Sequence, residues 1–152
     1  MHEFRVTKYN PENRNAAGEY LLDEWTEFSD VGKRVSLEEY ERVENAYLQS
    51  AADFTGTWRS PFARVTDLQA PNGNCTFAEK EGIPKFDIPA LVRSLLRSEF
   101  WCKIEADDGF IHIGWDFYMY LGCPAIDEEV IKRTEARGLF VEQFASPYRE
   151  VD

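Results

Sequence analysis

Histidine is almost missing from this chain: His2 and His112 are the only two in 152 residues. That scarcity all but excludes a multi-histidine metal site, and the acids show no EF-hand spacing. Cysteine is nearly as sparse. Cys75, Cys102 and Cys123 are odd in number and far apart, with no C-x-x-C. A disulfide framework is therefore not expected, and a reducing compartment fits better. No apolar run approaches the roughly 18 residues of a spanning helix, and the opening Met1-His2-Glu3-Phe4-Arg5-Val6 has no apolar signal core. The expectation is a soluble cytoplasmic protein. No P-loop, dinucleotide fingerprint, H-E-x-x-H or nucleophile elbow occurs, so no cofactor and no metal are expected. Cations are also short, with 17 Lys and Arg against 28 Asp and Glu and a net charge of −11. Phosphate binding needs a basic footprint, which argues against nucleic acid and anionic membranes as partners.

Apolar residues, in contrast, make up 43% of the chain, which is too many for disorder at this charge. The length suits one domain over 1–152 with its own core. Phe4 to Tyr9 alternates as an opening strand, and Asn10-Pro11 breaks it. Residues 10–18 read as an exposed loop. Tyr20, Leu21, Leu22, Trp25 and Phe28 lie in a following strand or ordered loop.

Ser36-Leu37-Glu38-Glu39 is a capping box, with Ser36 capping and Glu39 capping back. Leu37, Tyr40, Val43, Tyr47, Leu48, Ala51 and Phe54 then recur at helical spacing over 37–54. Glu38, Glu41, Arg42, Asn45 and Gln49 fall on the outward face, and Gly56 stops the helix. Residues 62–66 suit a strand and 69–82 a long loop or hairpin. Asp87 caps a second helix that buries Ile88, Leu91, Val92, Leu95 and Leu96. Pro124 and Asp127-Glu128-Glu129 start a third helix, which Gly138 ends. Residues 139–144 read as a closing strand and 146–152 as a C-terminal tail.

The clearest hairpin joins 100–106 to 110–121 through an Asp108-Gly109 turn. That register sets Ile104 opposite Ile113, Cys102 opposite Trp115 and Phe100 opposite Phe117, giving an apolar core face. The other face carries Trp101, Lys103 and Glu105 opposite Asp116, Gly114 and His112, and continues to Tyr118 and Tyr120. The fold class is α+β: an antiparallel or mixed sheet with about three helices packed on it.

Two constellations carry possible chemistry. His112 lies across from Glu105, with Asp116 four residues on, which suits either a general base or a cross-strand ion pair. The acids are the other. Residues 19–44 hold a net charge of −6, interleaved with Tyr20, Trp25 and Phe28. Such a field steers a basic partner, or serves solubility alone. Trp101, Tyr118 and Tyr120 form either a second core layer or a partner surface. Cys102 reads as core, whereas Cys75 and Cys123 sit near loops.

Several stretches resemble one family as a set: Phe4-Arg5-Val6-Thr7-Lys8-Tyr9, the run 23–32 around Trp25, Phe100-Trp101-Cys102 through Tyr118-Met119-Tyr120, and Gly138-Leu139-Phe140-Val141-Glu142. They are similar to small bacterial immunity proteins of contact-dependent growth inhibition and other polymorphic toxin systems. The resemblance implies a non-enzymatic cytoplasmic inhibitor of a secreted toxin domain, often a ribonuclease. It transfers no catalytic residue. The expected partner is a basic toxin, a nuclease first of all, because a nuclease must hold phosphates. The expected partner-binding residues are Glu24, Glu27, Asp30, Glu38 and Glu41, then Asp116, Tyr118 and Tyr120. The alternative is an enzyme or small-ligand protein with a pocket near His112, Glu105 and Asp116.

Overall fold

The computed structural model describes residues 1–73 and 75–149. Seven antiparallel strands form one sheet in the order β3-β2-β4-β5-β6-β1-β7. They are β1 (His2–Thr7), β2 (Phe62–Gln69), β3 (Gly82–Pro84), β4 (Trp101–Ala106), β5 (Gly109–Ile113), β6 (Met119–Cys123) and β7 (Phe140–Gln143). Three helices, α1 (Leu37–Thr55), α2 (Ile88–Leu96) and α3 (Glu128–Ala136), complete the α+β fold. No helix among the described residues is long and apolar enough to cross a membrane.

Period-two alternation decides which sheet face meets the helices. Phe4, Val6, Val65, Cys102, Ile104, Ile111, Met119 and Leu121 point one way, into a single core with all three helices. Glu3, Arg5, Lys103, Phe110, His112 and Tyr120 point the other way. The segment 144–149 covers this second face, so the expected tail is structural up to the last described residue; 150–152 lie outside the description. Ser146 N donates to Glu3 (3.2 Å), Arg149 pairs with Glu3 (3.2 Å), and the Tyr148 ring packs on Trp101, His112 and Tyr120. A strand covered on both faces is buried at every position, as β5 is.

The helix signals hold with local changes. Ser36 Oγ accepts from Glu39 N at 3.1 Å, but the Glu39 carboxylate turns outward to Arg42 (2.6 and 2.9 Å) instead of capping back. Leu37, expected on the buried face, is exposed because it sits in the first turn, ahead of the core contacts. Gly56 follows α1 with a right-handed φ of −60°. Asp87 precedes α2 without a side-chain cap, since its backbone is already helical and a 3-10 turn over Lys85–Asp87 leads directly into the helix. Asp127 does cap α3, accepting from Glu129 N and Val130 N (3.0 and 3.3 Å), and Gly138 leaves it with φ +89°.

The hairpin differs in register and in length. Its turn is Asp107-Asp108, with Ala106 opposite Gly109 and Ile104 opposite Ile111. Tertiary contacts explain the shift. The Asp108 carboxylate accepts from Arg59 N at 2.6 Å and Ser60 N at 3.5 Å. Gly109 lies in the strand, where a Cβ would meet Trp58 Nε1 at 2.0 Å. A shift of two residues leaves every side chain on its expected face, whereas a shift of one would invert them.

The second strand also stops at Ile113. The chain turns through a 3-10 segment, Trp115–Phe117, and returns as β6. Cys102 and Phe100 therefore do not face Trp115 and Phe117. Asp116 and Phe117 both take left-handed backbone, φ 59° and 65°, and the Phe117 ring drops in among Trp25, Tyr40 and Tyr47.

Candidate functional site

The acidic window separates into carboxylates occupied within the chain and carboxylates free of it. Glu44 is the most occupied, only 1% exposed. It sits on α1 at helical spacing from Tyr40, Tyr47 and Leu48, so the helix carries it into the core. Its carboxylate accepts from Tyr40 Oη (2.6 Å), Arg93 Nε (3.2 Å), and Arg97 Nε and Nη2 (2.8 and 2.9 Å). Burial alone would push this carboxyl up. The hydrogen bonds from Arg97 and Tyr40, with the two guanidinium charges, outweigh burial and hold it below the usual range.

Glu24 is half-buried. It pairs with Lys8 and accepts from Tyr20 Oη at 2.8 Å. The Lys8 ammonium lies over the Trp25 and Tyr9 rings, 4.2 and 4.3 Å from their centroids. Burial lowers its pKa against the pull of Glu24. Asp30 turns back on its own segment, accepting from Thr26 N at 2.9 Å and Glu27 N at 3.4 Å. Asp23 pairs with Arg34. Trp25 is 8% exposed, and the half-buried Phe28 packs at a tilt against Tyr40, centroids 5.0 Å apart. These aromatics pin residues 24–30 to the core, so they are not surface anchors. Glu27, Glu38, Glu41 and Asp116 stay exposed, and no carboxylate among these four makes an ion pair with another described residue.

The two tyrosines expected in the interface are committed elsewhere. Tyr120 is buried between Phe144 and Tyr148, because β6 lies inside the sheet under the C-terminal segment. Tyr118 is half-buried against Tyr9, with the Arg5 and Arg14 guanidiniums 5.3 and 5.9 Å from its ring. Both arginines are held by Glu142, at 2.7 and 2.5 Å. A ring already flanked by two cations is poorly placed for a third. Trp101 belongs to the second layer as well, donating through Nε1 to Ile113 O at 2.8 Å.

Among the described tryptophans and tyrosines, the one that stands in solvent is Trp115, 86% exposed; Phe86 and Phe62 are exposed as well. Uninterrupted strand alternation places it in the core, and the turn reverses that assignment. Gly114 and Asp116, breakers inside an apolar run, are the local signal for such a turn.

His112 is fully buried. Nε2 lies 2.8 Å from Glu105 Oε1, as the pairing of these residues implied, although the two are diagonal neighbours in the observed register. Nδ1 lies 2.7 Å from Ser146 Oγ. Asp116 takes no part. Ser, His and Glu together have the composition of a hydrolytic triad. However, Ser146 is buried and its Oγ accepts from Tyr148 N at 3.2 Å. The imidazole is stacked on Phe110, centroids 4.4 Å apart, with Tyr148 against its other side. A groove of ≈ 520 Å³ on this side of the molecule is lined by Asp67, Trp101, Lys103 and Tyr148, and His112 is not in its walls. The arrangement fastens the C-terminal segment to the sheet.

Cys102 is core, as expected, and burial pushes its thiol up to about 12. Cys123 is also buried, because β6 extends through it, and burial raises its thiol too. Among the described residues, no group of three or more His, Cys, Asp or Glu side chains is placed to hold a metal ion.

Comparison with known proteins finds no matching family model, no matching curated protein and no matching solved structure.

Proposed function

We propose that this chain is an immunity-type inhibitor, a cytoplasmic protein that binds and neutralises a basic toxin domain, in the first instance a ribonuclease. The observation that carries this reading is the set of exposed carboxylates Glu27, Glu38, Glu41 and Asp116, with no ion pair among the described residues, on a protein of net charge −11. Glu24 is paired with Lys8, and Asp30 is bonded to the backbone of its own segment, so both are less available. A nuclease site is positive because it holds phosphates, and an acidic protein surface competes with its substrate for that site. Charge of this kind acts chiefly on the association rate. The three unpaired cysteines fit a reducing compartment.

The test is to read the neighbouring reading frames for a basic toxin domain, express it, and measure stopped-flow association together with a ribonuclease assay. Inhibition should be stoichiometric, and the on-rate should fall steeply with added salt. Uninhibited turnover, or an on-rate indifferent to salt, refutes the proposal. The alternative reading, a ligand or catalytic site at His112, Glu105 and Asp116, draws no support from the geometry, in which the imidazole is enclosed and Asp116 lies apart.

A further inference from the structure

Trp115 is a large apolar ring held in water by a stiff support. Its turn contains two consecutive non-glycine residues in left-handed backbone, Asp116 and Phe117, a conformation that costs energy and persists only where neighbours enforce it. The neighbours are specific. Tyr9 Oη donates to Asp116 O at 2.7 Å, Tyr47 Oη donates to Phe117 O at 2.8 Å, and Gly114 N donates to Tyr118 O at 2.7 Å. The Tyr47 hydroxyl also accepts from Lys8 N at 2.8 Å, tying the turn to the end of β1. Phe117 is plugged into the core below. The strained backbone thus presents Trp115 and the exposed Asp116 at consecutive positions of a fixed turn, so no main chain has to be ordered on binding.

The surroundings set the sign of the partner. Tyr9 joins Asp116 to the acidic segment, since its ring packs on Tyr20, whose hydroxyl donates to Glu24. Burial raises the Tyr9 phenol first, and the charges of Asp116 and Glu24 raise it further.

We infer that Trp115 and Asp116 form the docking tip for a guanidinium on the basic partner, the indole face stacking on the cation and the Asp116 carboxylate pairing its charge. A planar guanidinium stacks on an aromatic face and donates to a carboxylate at once, which an ammonium does less well. The inference rests on the acidic-inhibitor reading and names the anchor within it.

The probe is deca-arginine, titrated at low ionic strength into uniformly ¹⁵N-labelled protein. Four indole N–H signals are expected, and Trp115→Phe assigns the fourth. The Trp115 signal should shift saturably, deca-lysine should bind more weakly, and Trp115→Ala should weaken deca-arginine binding by about fivefold. This substitution leaves net charge and core untouched, so the loss reports the indole alone. Unchanged affinity in Trp115→Ala, or an unmoved Trp115 signal on binding, overturns the docking tip while leaving the acidic inhibitor standing. No binding of deca-arginine by the wild type overturns both. A Trp115 signal that moves with protein concentration alone assigns the tip to self-association and also overturns the inference.

Discussion

Glu44→Ala would remove one buried carboxylate and leave four donor groups, on three residues, without their acceptor. The Tyr40 hydroxyl suffers most, since Tyr40 is wholly buried and an unsatisfied buried donor costs about 1–3 kcal/mol. Arg93 and Arg97 suffer less, because their side chains are 47% and 27% exposed and regain water. The expected loss is about 3 kcal/mol, the low end for breaking a buried ion pair. For a chain of this size that lowers Tm by about 6–12 °C. Glu44→Gln keeps the shape and one acceptor, so about 1–2 kcal/mol is expected.

The pH dependence separates charge from packing. The Glu44 carboxyl titrates below its ordinary value in the folded state. Its contribution is therefore complete above the unfolded carboxylate pKa of about 4.3 and is lost as pH falls through the lower folded value. The gap between wild type and Glu44→Gln, measured by urea unfolding with tryptophan fluorescence, should be flat from pH 7 to about 5 and should close under acid. A gap under about 0.5 kcal/mol at pH 7, within the usual scatter of surface substitutions, would refute the assignment of Glu44 as an internal charge. So would a gap that persists unchanged below the folded pKa.

Gly109→Ala should cost about 2–4 kcal/mol in the same unfolding assay, because the new Cβ displaces Trp58 and its 2.9 Å bond to Gly122 O. Under native conditions a thiol reagent should titrate Cys75 first, with Cys102 and Cys123 reacting only after unfolding; rapid labelling of Cys102 would contradict its core position. Tyr148→Ala should open the outer layer, seen as a red-shifted Trp101 emission and faster proteolysis near the C-terminus. Acrylamide should quench Trp115 ahead of the other three tryptophans, so Trp115→Phe should remove most of the quenchable emission.

Local pattern carried the helices well. The Ser36 cap, the apolar spacing of α1 and α2, and the Asp127–Gly138 bracket of α3 all involve residues within a few positions of one another, where propensity and capping decide. The sheet faces were legible for the same reason, since alternation is a property of the strand itself. The point at which a strand ends is not local. The apolar run through 110–121 breaks at Gly114 because Phe117 finds a socket between α1 and Trp25, residues far away in sequence. The turn moved to Asp107-Asp108 because Arg59 and Ser60 supplied donors to Asp108 and Trp58 pressed on Gly109.

Composition and spacing by themselves determined that this chain is acidic, single-domain and α+β, with Glu38 and Glu41 on an outward helical face. Only the tertiary structure decided which acids remain available. Glu44 looks identical to Glu41 in composition, yet it lies one step round the helix and meets Arg93 of α2 and Arg97 just past its end. Glu24 meets Lys8, and Asp30 meets its own backbone. A carboxylate's charge is written in the sequence, whereas its availability depends on which donors the fold brings within hydrogen-bonding distance. The same distinction buried Tyr120, half-buried Tyr118 and put Trp115 into solvent.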